Sequence, residues 1–408
     1  MKTNIPFHST NILLPTKNFE KWSVIACDQF TSDKKYWEET EKIVGKAPST
    51  LKITLPEIYL EEEGVEKRIE VINSEMYDYL SSDLLKEYND SLIYIERIQP
   101  DGRMRAGIIG AVDLEAYDYR KGSKTLIRAT EGTVLERIPP RVQIRKDAPL
   151  ELPHIMLLID DKDKNVIEPL EARKKSMTKL YDFDLMMGGG HITGYLIDEE
   201  SKKGIEEGLQ ELCGNDESPL LFAVGDGNHS LATAKECYEI LKKDDPEKAK
   251  TSPARYALAE VGNIHGDALD FEPIYRVMFS VDPEDVIKSF FDYFDTDNGN
   301  TEVTYTYGNK EGTVKIYVPE DKLITGVIQE FIDDYIIKNS GAKVDYIHGI
   351  NDVKALSEKE RTIGFMYDGI SKETLFGAVK ATGALPRKTF SMGHSQDKRY
   401  YLECRKIK

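Results

Sequence analysis

The stretch from residue 220 to 235 constrains the fold more than any other; it reads Leu-Leu-Phe-Ala-Val-Gly-Asp-Gly-Asn-His-Ser-Leu-Ala-Thr-Ala-Lys. Its five leading apolar residues have the length and composition of a strand. Gly225-Asp226-Gly227 stops that strand, because two glycines accept backbone angles that other residues resist. Leu231, Ala234, Cys237, Tyr238 and Leu241 then recur at helical spacing. A strand, a glycine turn and a helix start aim backbone N–H groups and the positive end of a helix dipole at an anion. Gly225, Gly227, Asn228 and Ser230 line that candidate anion site. Asp226 adds a candidate metal ligand and His229 a candidate acid or base at the same rim. The plainer reading is a tight turn in which Asn228 or Ser230 caps the helix.

A chain of 408 residues is long enough for two or three domains. Its formal net charge of −17 argues against a nucleic-acid surface, which needs clustered Lys and Arg. It leaves room for a small basic pocket that takes a phosphorylated metabolite. The four cysteines have no metal-type spacing and read as reduced thiols of a cytoplasmic protein. Residues 1–11 lack the apolar stretch of a signal peptide, and no apolar run reaches the roughly 18 residues of a membrane span, so no membrane partner is expected.

A second informative segment, residues 127–145, holds Arg128, Arg137, Arg141 and Arg145 in an otherwise acidic chain. Arginine suits bidentate phosphate or carboxylate recognition, and Glu131 sits between Thr130 and Gly132 on an expected loop. The competing reading is a solvated helix whose arginines pair with Glu136 and Asp147. Elsewhere the pattern predicts a strand over 51–60, a long amphipathic helix over 65–88, and a hairpin around Pro100-Asp101-Gly102-Arg103. Gly188-Gly189-Gly190 implies a flexible crossing or a close backbone approach to a ligand. Residues 385–405 read as a terminal hairpin that carries Arg387, Lys388 and His394. The expected boundary falls after Phe279, giving a core of residues 1–280 and a C-terminal domain of residues 281–408.

Five stretches in order resemble the bacterial and archaeal "domain of unknown function" family ten-fifteen of the ParB/sulfiredoxin-like superfamily, whose signature is Asp-Gly-His-His-Arg. The signature is similar to Asp226-Gly227-Asn228-His229-Ser230. The others are Ile25-Ala26-Cys27-Asp28, Thr130-Glu131-Gly132-Thr133, Pro273-Ile274-Tyr275-Arg276 and Leu385-Pro386-Arg387-Lys388-Thr389. The resemblance implies an α+β fold, with a ParB/sulfiredoxin-like mixed-sheet core and a C-terminal α+β domain. In that superfamily the equivalent box binds nucleotide phosphates in ParB-type CTPases, sulfiredoxin and the ADP-dependent free-serine kinase. Carried over, Glu131 is the general base or orienting carboxylate, and Asp226 holds Mg²⁺ or positions the acceptor. The resemblance likewise implies that Gly227, Asn228 and His229 contact phosphate.

Ser230 stands where the box has arginine, Asn228 replaces the first histidine, and Tyr275 replaces another. Serine brings no charge to a phosphate. Another cation must then compensate, from Arg141, Arg276 or Arg387, or the phosphate chemistry is altered or lost; Arg128 and Lys388 are further candidate phosphate ligands. The resulting expectation is Mg²⁺-dependent phosphoryl transfer or phosphoester hydrolysis on a nucleotide or small phosphorylated metabolite, with serine or phosphoserine suggested by analogy. The alternative is a nucleotide-gated interaction protein. A sulfiredoxin-like redox role ranks last, because Cys237 lies on the apolar stripe of its helix.

Overall fold

The computed structural model describes residues 4–60, 62–120, 122–133, 135–214, 216, 218–320 and 322–408. Val134, within the arginine-rich segment, lies outside them. The fold is α+β and forms two units, Met1–Leu269 with Gly393–Lys408, and Asp270–Met392. This differs from the boundary expected after Phe279. That strand belongs to the second unit, where it pairs with three others, and the C-terminal segment returns to the first.

The first unit is built on a ten-stranded mixed sheet. Its strands are β1 (Phe7–His8), β2 (Ile93–Ile98), β3 (Met104–Asp113), β4 (Tyr117–Asp118) and β5 (Ile127–Ala129), then β6 (Met156–Ile159), β7 (Thr178–Asp184), β8 (His191–Leu196), β9 (Phe222–Asp226) and β10 (Tyr256–Asn263). They lie in the order β7-β8-β2-β3-β10-β6-β9-β5-β4, with β1 beside β3. Side chains alternate across a strand, so Ile93 and Ile95 join Ile109 and Leu258 in one apolar cluster while Tyr94 joins Leu157, Phe222 and Val224 in another. Both faces are therefore covered. This is why β9 reads as a continuous apolar run: Phe222, Ala223 and Val224 are all fully buried. Helices α1 (Lys34–Val44), α2 (Val65–Ser81), α3 (Ile138–Arg145), α4 (Glu199–Cys213) and α5 (Asn228–Asp244) belong to this unit.

Two local expectations are corrected. Residues 51–60 form two short turns of tight helix, Thr50–Ile53 and Glu57–Tyr59, instead of a strand. The Ser49 hydroxyl accepts from Leu51 N–H and the Thr54 hydroxyl donates to Thr50 O, so local bonds win over sheet pairing. The long helix ends at Ser81, and Leu85–Ser91 pairs as a strand with Thr10–Pro15. The hairpin at Pro100 forms as expected, Gln99 N–H donating to Arg103 O across it. Gly190, at φ +84°, packs against the carbonyl of Ile98, so the close backbone approach there is to the protein's own chain.

The second unit has an antiparallel sheet of β11 (Phe271–Phe279), β12 (Thr301–Tyr307), β13 (Lys310–Ile316), β14 (Lys343–His348) and β15 (Thr362–Tyr367), in the order β13-β12-β15-β11-β14, with β16 (Phe390–Met392) on β11. Helices α6 (Pro283–Tyr293), α7 (Ile324–Lys338), α8 (Ile350–Ser357) and α9 (Lys372–Thr382) complete it. Phe290, Phe331 and Phe365 centre its core. Among the described residues, no helix is long and apolar enough to cross a membrane.

Candidate functional site

The turn between β9 and α5 is forced by packing. Gly227 has φ +79°, and a Cβ there would lie 2.9 Å from the Ile155 Cα. No side chain caps the helix, so neither Asn228 nor Ser230 takes the capping role. The first turn holds no acidic residue, while Lys242 and Lys243 complement the dipole at the other end. The Asn228 Oδ1 is buried and has no hydrogen-bond partner among the described residues. The Asp226 carboxylate accepts from Gly227 N–H at 2.9 Å and pairs with Lys398 Nζ at 3.1 Å. On the parallel neighbour β5, Ala129 is level with Val224, so Thr130 and Glu131 leave the sheet at the same end as Asp226.

Lys398 reaches this place because the C-terminal segment pairs with the start of the chain. Tyr400 lies opposite Ile25 and Tyr401 opposite Val24, and Ala26 N–H donates to Arg399 O at 2.9 Å. Two buried arginines directly opposite each other on β2 and β3, Arg97 and Arg105, grip the segment just before that pairing. Arg97 donates to the carbonyls of Gln396, Asp397, Lys398 and Gly189, and Arg105 to that of Asp397. Burial and the neighbouring Arg105 charge push the Arg97 guanidinium down to about 9. Glu260 repays part of this cost by pairing with Arg105 at 3.3 Å and with Arg399.

The same pairing sets Cys27-Asp28 beside Lys398. Asp28 faces His154 Nε2 at 3.5 Å and accepts from the Gln29 amide at 3.0 Å. The other ring nitrogen of His154 lies 3.0 Å from the Tyr401 hydroxyl, which donates to the Cys27 sulfur and accepts from Cys27 N–H. A histidine cation satisfies this pattern, since both of its N–H groups then face acceptors. Burial alone would raise the Asp28 carboxyl. The His154 charge and hydrogen bond, the Gln29 amide and the Lys398 ammonium outweigh it and hold the group well below the usual carboxylate range. Burial also opposes the His154 cation, but the charges of Asp28, Asp226 and Glu57 raise its pKa above 6.5. Burial and the Asp28 charge push the Cys27 thiol up to about 12, so it is not a thiolate.

The predicted residues divide. The β9–α5 turn gathers Gly225, Asp226, Gly227, Asn228, His229 and Ser230. Arg141 comes near but pairs with Glu57, whose N–H donates to Cys27 O at 2.8 Å. Arg128 is buried and donates to the carbonyls of Thr125, Ser218 and Pro219, so its donors serve the fold. Arg276 is buried in the second unit, where it donates to the carbonyls of Ile274, Arg387 and Lys388. The side chains of Arg387 and Lys388 are exposed on that unit. His154, Tyr401 and Lys398 were not singled out from the sequence. Each is a lone residue of ordinary type, and only the Asp28 stretch hinted at the pocket.

Among the described residues no group of three or more His, Cys, Asp and Glu side chains is placed to hold a metal. Both oxygens of Asp226, the expected ligand, are already engaged.

Similar solved structures include a conserved hypothetical protein from Pyrococcus furiosus, at 12% identity and TM-score 0.35, covering 71% of this chain and 95% of that one. A free serine kinase mutant in complex with ADP is similar at 11% identity and TM-score 0.37, covering 71% and 92%. SbnI with a C-terminal truncation, from Staphylococcus aureus, is similar at 12% identity and TM-score 0.35, covering 70% and 82%. No curated protein matches. The family described as "Protein of unknown function (DUF1015)" matches residues 6–406, and the chain belongs to it.

Proposed function

We propose that the pocket at the start of α5 binds a nucleotide or small phosphorylated metabolite and transfers a phosphoryl group or hydrolyses a phosphoester. One observation carries this reading. An uncapped start of a 17-residue helix, with an Asp226–Lys398 pair beside it, shares one electrostatic field with the Asp28–His154 pair. The reading also takes the large sheet as a ParB/sulfiredoxin-like core, which a mixed sheet with an inner strand ending in a glycine turn supports.

The chemistry asks mainly for positioning and charge neutralisation. The α5 amides and its dipole hold the phosphate. Asp28, kept ionised by His154, accepts the hydrogen bond of an attacking hydroxyl or water. A new O–P bond forms as the bond from phosphorus to the leaving oxygen breaks, and the displaced proton passes to Asp28. A weakly basic carboxylate suffices, because the proton is released late in a loose phosphoryl transfer. The buried Asn228 Oδ1 offers a further acceptor for a substrate hydroxyl or ammonium. Serine carries both groups and phosphoserine the ammonium, and these are the first substrates to test.

Phosphorus NMR tests the reading, with ATP, ADP, CTP or phosphoenolpyruvate plus serine, and separately with phosphoserine. New phosphoester or phosphate signals are expected from the wild type and absent from Asp28→Asn. Broadened nucleotide signals without turnover would replace the enzyme by a nucleotide-gated binding protein. Equal turnover in wild type and variant would remove Asp28 from the reaction.

A further inference from the structure

We infer that Lys398 is the phosphate-binding cation of this pocket, and that Asp226 acts as its internal counter-anion, competing with the ligand instead of holding a metal. The inference rests on the phosphate reading of the same pocket and assigns its charges. Residue 230, in the first turn of α5, is an uncharged serine. The ammonium beside that turn belongs to Lys398, 12% exposed and 3.1 Å from Asp226.

Lys398 is not a loose surface lysine. Arg97 holds its carbonyl, Arg97 and Arg105 hold that of Asp397, and Ala26 holds that of Arg399. Three successive carbonyls are thus fixed from the sheet and from the N-terminal strand, and the lysine side chain leaves a backbone that is anchored on both sides. Burying paired arginines of like charge is costly, and here that cost secures the position of a single amine.

Asp226 is the partner most easily exchanged. It is 24% exposed and has a second bond of its own to Gly227 N–H. A phosphate oxygen arriving at the α5 amides meets Lys398 as an attractive charge and Asp226 as a repulsive one. An ammonium has three donors, so it can hold a phosphate oxygen while it keeps or loosens Asp226. Asp226 then lowers affinity for every anion and favours those with enough charge to win the lysine, such as a diphosphate over a monoanion.

Isothermal titration of the full chain with pyrophosphate and with ADP, in buffer containing EDTA, separates the assignments. Lys398→Met should weaken pyrophosphate binding roughly ten- to hundredfold, as expected for a lost charge-assisted bond. Lys398→Arg keeps the charge and should stay within about threefold of wild type. Asp226→Asn should bind pyrophosphate roughly tenfold tighter and discriminate less against acetate. Far-ultraviolet dichroism and melting curves check that each variant is folded. Tighter pyrophosphate binding by wild type, but not by Asp226→Asn, when Mg²⁺ is added in excess of the EDTA would overturn the inference in favour of a metal ligand. Unchanged binding by Lys398→Met would overturn it too. Turnover that Asp28→Asn abolishes would in that case keep the proposed reaction and discard only the charge assignment. Absence of binding by both wild type and Asp226→Asn would overturn both.

Discussion

Arg276 in the second unit is fully buried and Lys398 in the first is 12% exposed, and the two cations are satisfied in opposite ways. Arg276 ends on three backbone carbonyls and the Gln329 side chain, with its guanidinium over the Tyr346 ring. Such a group ties its own chain together and has little to offer a ligand. Lys398 has its backbone held by others and turns its amine to a carboxylate at a helix start. The contrast shows that an arginine within a family-like motif need not be a ligand-facing group. What matters is where the donors end.

The largest expected effect that sharpens this contrast is on catalysis. Asp28→Asn should lower turnover by about 10² to 10⁴, as for a lost acid/base group, with the fold intact. Steady-state rates by phosphorus NMR check it, and a loss below threefold would leave the first unit without its reacting carboxylate. Next comes Arg276→Met, which strands the carbonyls of Ile274, Arg387 and Lys388 and should cost about 2–4 kcal/mol. Urea unfolding followed through the second unit's transition reads this cost. An unchanged midpoint with lost pyrophosphate binding would make Arg276 a ligand after all and break the comparison.

The smallest effect is on pH dependence. The folded pKa of His154 is raised above 6.5, so its pairing contributes fully below the unfolded pKa and is lost as pH rises through the folded value. The folded pKa of Asp28 is depressed, so its contribution is present above the unfolded pKa of 3.8 and is lost as pH falls through the folded value. The stability gap between wild type and His154→Gln should therefore be widest between those two ordinary values, on the order of 1 kcal/mol, and should close on the alkaline side. Thermal melts across pH would contradict this if the gap widened above neutrality.

How much of this was legible in the sequence depended on range. The β9 strand, its glycine turn and α5 were local, each marked by its own apolar period or glycine, and so was the hairpin at Pro100. The C-terminal segment looked like a hairpin, because nothing in it announces that Tyr401 meets Cys27 across 374 residues. Residues 51–60 alternate like a strand, yet the hydroxyls of Ser49 and Thr54 bond locally, and sequence period cannot weigh those bonds. Asp226 was visible from its turn, whereas Asp28 lay in a stretch that the resemblance matched without giving it a role. Arg128 and Arg276 drew attention by type and proved to be struts. Lys398 and His154 stayed hidden because their value comes entirely from partners brought in by distant segments.

A crystal structure with ADP bound tests the central claim most directly. Phosphate density is expected at the first turn of α5, with an oxygen within hydrogen-bonding distance of Lys398 Nζ and the Asp226 carboxylate drawn away. Phosphates resting on Arg387 and Lys388, or an empty α5 start at saturating ADP, would contradict it.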